Sequence, residues 1–232
     1  MKRQINLIFW AVLAIAVSGC YTTGLSMRET GQFNYSNLIY GLYDESDSAA
    51  KQEVLDKPIK LAVAQVGENA PPVAMLNALA EQKYLISKVS VIPAGGSETN
   101  YGNNQNNTNK EEFNKRMVKM RKLAKDLGAN YIFLFGGSAD YGYTANWLQF
   151  FDITLVGGYI LPSNKITAEG RAAGALISVE TGRVVFLVNS EAKKQARSAT
   201  FTVDSRQEEV VVKLRDDLVV SLADEFIEKL KM

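Results

Sequence analysis

The hydrophobic pattern changes period several times along the chain, and each change predicts an element. Residues 59–66 form a short β-branched apolar run, Ile59-Lys60-Leu61-Ala62-Val63-Ala64-Gln65-Val66. Alternation sends Leu61, Val63 and Gln65 to one face and Lys60, Ala62, Ala64 and Val66 to the other, so a strand buried on at least one face is expected. Pro71-Pro72 suits the first turn of a helix, where no N–H partner is needed, and 73–82 continues with Ala and Leu. Alternation returns at 86–93 as a second strand. Between 110 and 127, Phe113, Met117, Met120, Leu123, Ala124 and Leu127 recur at helical spacing, with Gly128 placed to end the helix. The two methionines there read as core filler. The wholly apolar run 131–135 predicts a third, central strand.

After residue 146 the helical period disappears. The run 147–156 is aromatic and β-branched, Gly157-Gly158 is a bend, and 159–162 continues the strand briefly. Strands over 166–179 and 183–189 flank Glu180-Thr181-Gly182, a hairpin turn. Residues 192–199 are small and basic and are expected to be exposed. The last element is a long helix capped by Asp204 or Ser205, with Glu208 and Glu209 early and Lys229 and Lys231 late, which complements the helix dipole. Val211, Leu214, Leu218, Leu222 and Leu230 give it one apolar stripe, read as a core face. Together these predict one α/β domain over 58–232, three-layer-like, with a β-α-β-α-β start, an antiparallel β-meander and a long C-terminal helix.

Two glycine-rich stretches interrupt the pattern. Residues 94–109 carry Gly95-Gly96 and six asparagines, a long loop for a compact domain, open to reading as a binding loop or a tolerated insertion. Gly136-Gly137-Ser138 lacks a following Lys and a following helix, so it cannot cradle a phosphate and is read as a bulge or strand exit.

The first 57 residues follow a different logic. Lys2 and Arg3 precede an apolar run over 5–17, then Val17-Ser18-Gly19-Cys20. A basic start, an apolar run too short for a ~30 Å hydrocarbon core and a small-residue cleavage site describe an export signal. Val17-Ser18-Gly19-Cys20 resembles the lipobox of bacterial lipoproteins, which implies that the Cys20 thiol takes a diacylglyceryl group, with acyl chains such as palmitate, before cleavage between Gly19 and Cys20. Residues 1–19 are then the signal peptide, and 20–57 a lipidated tether holding a short helix around Leu38, Ile39 and Leu42. The mature chain would begin Cys20-Tyr21. By the same resemblance, Tyr21 in place of Asp favours the periplasmic face of the outer membrane over the inner membrane.

Composition narrows the chemistry. The chain has 26 Lys and Arg, 25 Asp and Glu, no histidine and one cysteine. Removing Lys2 and Arg3 with the signal leaves 24 basic side chains against 25 acidic, a balance that offers no long-range field to nucleic acid or anionic lipid. Without histidine, Ser-His-Asp and Cys-His nucleophile systems and the usual histidine zinc sites are excluded. With Cys20 acylated there is no catalytic thiol or disulfide. No catalytic residue, metal or cofactor is expected.

Two segments carry a resemblance. One is Lys60-Leu61-Ala62-Val63-Ala64-Gln65-Val66 after the Tyr-rich short helix. The other runs Asn146-Trp147-Leu148-Gln149-Phe150-Phe151-Asp152-Ile153-Thr154-Leu155-Val156-Gly157-Gly158-Tyr159-Ile160-Leu161-Pro162-Ser163-Asn164-Lys165. Together with the Glu180-Thr181-Gly182 hairpin and the terminal helix, this order resembles the rhombotarget lipoproteins over most of the mature chain. The resemblance implies a location and no particular reaction, and the asparagine-rich stretch departs from it. The element order is more loosely similar to periplasmic assembly lipoproteins such as the curli secretion lipoprotein and the activators of peptidoglycan synthases.

The functional expectation is therefore a membrane-anchored, non-enzymatic lipoprotein that binds an envelope protein or a wall polymer. Its contact surface would be Tyr141, Tyr143, Trp147, Phe150 and Phe151, since such rings are favoured at interfaces; filling the core is the other use for them. A carboxylate-based glycan hydrolase using Asp140, Asp152 and Glu169 is the alternative, and would need two of these acids facing one cleft. A subunit of an outer-membrane secretion or assembly complex is a further alternative, since 151–161 is about as long as a membrane-crossing strand, ~9–11 residues.

Overall fold

The computed structural model describes residues 26–27, 55–66, 68–94, 108–146 and 159–232. Its elements, in chain order, are β1 (Ser26–Met27), β2 (Ile59–Gln65), α1 (Val73–Ala80), β3 (Ile86–Val91), α2 (Thr108–Asp126), β4 (Tyr131–Ala145), β5 (Asn164–Ser178), β6 (Val184–Ser198), a 3-10 turn (Thr200–Thr202) and α3 (Val203–Lys231). This is the expected mixed α/β order, ending in a long helix. The signal peptide with Gly19 and Cys20, the short helix before residue 57, most of the asparagine-rich stretch, and Trp147, Phe150, Phe151 and Asp152 lie outside the described residues.

The chain divides into two compact units, and β4, β5, β6 and α3 each contribute to both. The α/β unit takes in the described residues from Leu55 to Ala139, then Glu169–Ala192 and Leu214–Met232. The strand-end unit contains Asp140–Ala168 and Lys193–Lys213 together with β1.

In the α/β unit the sheet order is β3-β2-β4-β5-β6. Strand β2 lies parallel to β3 on one side and to β4 on the other, with Leu61 opposite Tyr131 and Val63 opposite Phe133. Parallel neighbours need covered faces, and Leu61, Ala62, Val63 and Ala64 are all fully buried. On one face Ala62, Ala64, Ile132, Leu134 and Ile177 pack with Met117, Met120 and Ala124 of α2. On the other, the Phe133 ring lies 4.1 Å from Phe226 of α3 and 5.4 Å from Phe135, centroid to centroid. The expected α3 stripe of Val211, Leu214, Leu218, Leu222 and Leu230 is buried, and the methionines of α2 are core. Leu123 and Leu127 were expected on the same stripe but are 43% and 41% exposed: the buried arc of α2 is only wide enough for Met117, Met120 and Ala124.

Glycine sets how closely α3 and β4 approach β5. A Cβ on Gly170 would come within 2.6 Å of Leu218 Cδ1, and one on Gly174 within 2.4 Å of the Phe133 ring. Gly136-Gly137-Ser138 is not a strand exit, because β4 continues through it to Ala145. A Cβ on Gly137 would meet the Arg171 carbonyl oxygen at 2.8 Å, so the missing side chain permits close passage of the neighbouring backbone. The Glu180-Thr181-Gly182 hairpin forms as expected: Gly182 has φ 76° and its N–H donates to Ser178 O at 2.9 Å. Arg121 of α2 fastens this turn, donating from Nε to Val179 O at 3.0 Å and from Nη2 to Glu180 O at 2.6 Å.

Candidate functional site

The strand-end unit holds the site, built where β5 begins and β6 ends. Three boundaries expected from the sequence move here. Residues 192–199 are not a loose exposed run: β6 continues to Ser198, with Lys193, Gln195 and Arg197 exposed while Ser198 and Ala199 are buried. Tyr159 and Ile160 sit in a helical turn rather than extending a strand. Helix α3 starts at Val203, continuing directly from the 3-10 turn, so Asp204 lies in its first turn and neither it nor Ser205 precedes the helix as a cap.

Short polar side chains organise this corner. Ser163 Oγ and Thr200 Oγ1 are 3.0 Å apart, and Asn164 Nδ2 donates to Thr200 Oγ1 at 3.0 Å. Ser198 Oγ and Thr202 Oγ1 are 2.9 Å apart, and Thr202 Oγ1 donates to Ala199 O at 3.3 Å. Ser163, Asn164 and Ser198 are buried, so their hydroxyl and amide groups need these partners. The Asn164 Oδ1 is buried with no hydrogen-bond partner. The end of β4 joins the same corner: Asn146 donates from N to Ser163 O at 2.7 Å and from Nδ2 to Pro162 O at 3.0 Å.

With Thr200 and Thr202 tied down, Phe201 between them is left 54% exposed. Its ring lies 4.8 Å from that of Tyr159, itself 61% exposed, and Ile160 beside it is 70% exposed. Tyr159 and Ile160 line a shallow groove of about 490 Å³ whose wall also includes Arg197, Thr202, Arg206 and Glu209. On α3, Glu209 accepts from Lys213 Nζ at 2.7 Å and from Arg206, three and four residues apart along one face. The hydrogen bond from Lys213, then that from Arg206, holds the Glu209 carboxyl below its ordinary pKa. Arg197, exposed at the end of β6, makes no ion pair with another described residue. The groove is thus lined by a tyrosine ring, a branched aliphatic, two guanidinium groups and the hydroxyl residues Ser198, Thr202 and Ser205.

The residues singled out from the sequence fall in several places. Tyr141 and Tyr143 are half-buried on β4 in this unit, and β1 pairs beside them, Ser26 with Gly142 and Met27 with Tyr141. Asp140 is exposed in the strand-end unit and Glu169 is exposed in the α/β unit. Among the described residues no three His, Cys, Asp or Glu side chains gather as metal ligands. No described helix is long and apolar enough to cross a membrane. Tyr159, Ile160 and Phe201 were not singled out as contact residues. Thr-Phe-Thr is the one local signal: both hydroxyls are hydrogen-bonded in the corner while the ring between them is exposed.

No protein-family model and no curated protein matches the chain. Among solved structures it is similar to the PelC dodecamer from Paraburkholderia phytofirmans, at 12% identity over 75% of this chain and 90% of that one, with a TM-score of 0.31. It is similar to lipoprotein GNA1162 from Neisseria meningitidis at 14% identity over 67% of this chain and 99% of that one, TM-score 0.29. A neuraminyllactose-binding hemagglutinin homolog from Helicobacter pylori shows 11% identity over 82% of this chain and 89% of that one, TM-score 0.31. Likenesses this weak transfer no function.

Proposed function

We propose that this protein is a bacterial envelope lipoprotein, exported, acylated at Cys20 and held at the periplasmic face of the outer membrane, where it acts by binding rather than by catalysis. The observation that carries the reading is the pairing of β1 with β4. Ser26 lies six residues beyond Cys20, and its strand is hydrogen-bonded to the one that bears Tyr141 and Tyr143. An acyl anchor at Cys20 is therefore coupled to folded structure and does not merely tow it on a long leash. Each buried acyl CH₂ contributes ~0.8 kcal/mol, so several chains hold the protein firmly without a transmembrane helix. The resemblance to rhombotarget lipoproteins supports the location. The partner is an envelope protein or wall polymer contacted through the aromatic stretch that contains Tyr141, Tyr143, Trp147, Phe150 and Phe151.

Cys20→Ser tests the anchor: it is expected to abolish acyl labelling and to leave precursor or mislocalised protein, and normal labelled, processed protein would overturn the reading. Crosslinking of the anchored protein in intact envelopes, followed by capture and mass spectrometry, tests the binding role. A defined partner whose crosslinks concentrate on the aromatic stretch is expected. Glycan cleavage by the purified protein, with no partner captured, would favour the hydrolase.

A further inference from the structure

We infer that the exposed rim formed by Tyr159, Ile160, Phe201 and Arg197 is a bilayer-contacting face, which lays the strand-end unit against the membrane that carries the Cys20 anchor. This rests on the lipoprotein reading above. Three observations from one unit converge on it.

The first is direction. β1 and β4 are antiparallel, Met27 opposite Tyr141 and Ser26 opposite Gly142. From Met27 back to Ser26, β1 steps from Tyr141 to Gly142, which is the direction in which β4 runs on to Ala145 and Asn146. That is the end of β4 hydrogen-bonded to Pro162 and Ser163, immediately after Tyr159 and Ile160. The second is reach. Six residues separate Cys20 from Ser26, and an extended chain spans at most ~3.3–3.6 Å per residue, so the acyl site lies within about 20 Å of Ser26. A further four residues along β4, from Gly142 to Asn146, add roughly 13 Å. The corner that bears the groove is thus inside the zone that the anchor holds near lipid.

The third is the chemistry of the rim. Tyr159, Ile160 and Phe201 are each more than half exposed and adjacent, an apolar cluster edged by a cation. Tyrosine sits well at the headgroup level, with its ring toward the acyl chains and its hydroxyl toward water. Phe and Ile give depth, and the Arg197 guanidinium suits a phospholipid phosphate. A short apolar rim with one cation that pairs with no described residue is too small to anchor a soluble chain. It is well placed to orient one already tethered, because tethering converts docking into an intramolecular step at high effective concentration.

The test uses the acylated mature chain in vesicles of phosphatidylethanolamine and phosphatidylglycerol. Cys20 is the only cysteine and is blocked by acylation, so Phe201→Cys gives a single site for an environment-sensitive dye. Co-flotation with the vesicles scores the anchor by itself; a chain that does not float overturns the lipoprotein reading. For a chain that floats, doxyl-labelled lipid is expected to quench the dye at 201 strongly. Ile160→Asp with Arg197→Glu should remove most of that quenching while leaving flotation and the circular dichroism spectrum unchanged. In the unacylated Cys20→Ser chain, Arg197→Glu alone should weaken residual vesicle binding about fivefold or more at low salt. Quenching at 201 that the double variant does not reduce, or none at 201 in a floating chain, overturns the bilayer face. So does a protein crosslinked through position 201 in envelopes in place of lipid.

Discussion

In the α/β unit, stability rests on rings and bare backbone. Phe133 fits against Phe226 and Phe135, and Gly170 and Gly174 leave room for Leu218 and for the Phe133 ring itself. In the strand-end unit, small hydroxyls and one amide hold the corner, and the large apolar side chains Tyr159, Ile160 and Phe201 face outward. The ring cluster of the α/β unit is enclosed between sheet and helix, whereas the polar corner of the strand-end unit ties its backbone with side-chain hydrogen bonds and leaves Tyr159, Ile160 and Phe201 exposed. Dispersion and burial scale with the number of atoms enclosed, whereas a hydrogen bond nets only ~1 kcal/mol, so the two units should differ in how much a single substitution costs.

The largest effect is expected from Phe133→Ala. It empties the centre of the ring cluster and should cost about 3–5 kcal/mol, read from the urea midpoint. A cost below ~1 kcal/mol would show that the cluster does not carry the unit. Gly174→Ala probes the same place from the opposite direction. The new methyl would stand 2.4 Å from a Phe133 ring carbon, and overpacking of that kind costs about 1–3 kcal/mol. Phe133→Leu removes the obstructing ring edge, so the double variant should be more stable than the sum of the two single costs predicts. Strict additivity would mean that the glycine is needed for a reason other than the ring.

Much of the α/β unit was legible in the sequence, because its rules are periodic. Leu61 to Ala64 read as a buried strand, Gly128 as a helix end, Glu180-Thr181-Gly182 as a hairpin turn and the α3 leucines as a core stripe; each is so in the structure, with Gly128 and Gly182 at positive φ. Gly136-Gly137 misled because a glycine pair can serve a turn or a close approach, and only the Arg171 carbonyl, on a strand far along the chain, selects the second. The strand-end unit was harder to read for a related reason. Its corner joins Asn146, Ser163, Thr200 and Thr202 through side-chain hydrogen bonds, which leave no period in the sequence. The aromatic run drew attention to Tyr141 and Tyr143, which are half-buried, while the exposed ring at Phe201 follows a basic strand and looked unremarkable.

Smaller effects are expected in the strand-end unit. Thr200→Val keeps the shape but removes the oxygen shared by Ser163 and Asn164, and should cost about 1–2 kcal/mol in thermal or urea unfolding. Phe201→Ala removes a side chain that is mostly in solvent and should change stability by less than ~1 kcal/mol. A cost comparable with that of Phe133→Ala would erase the contrast between the units and make Phe201 part of a core.

The smallest expected effect concerns acid. Glu209 accepts from Lys213 and Arg206, and both bonds favour its charged form, so its pKa in the folded chain lies below the unfolded one. At a pH above the unfolded pKa the carboxyl is ionised in both states and its contribution to stability is fully present. As the pH falls, the unfolded chain takes up the proton first, which favours unfolding, and the contribution is gone once the pH passes below the folded pKa. The group is solvent-exposed, so screening keeps the contribution small and salt-sensitive. Glu209→Gln should therefore leave Phe133-dependent stability untouched and slightly flatten the acid side of the stability curve, most visibly at low ionic strength. An unchanged acid limb at low salt would show that the Arg206–Glu209–Lys213 ladder decorates the start of α3 without holding it. A large loss at neutral pH would show the opposite: that this polar edge of the groove supports the fold as much as the buried rings do.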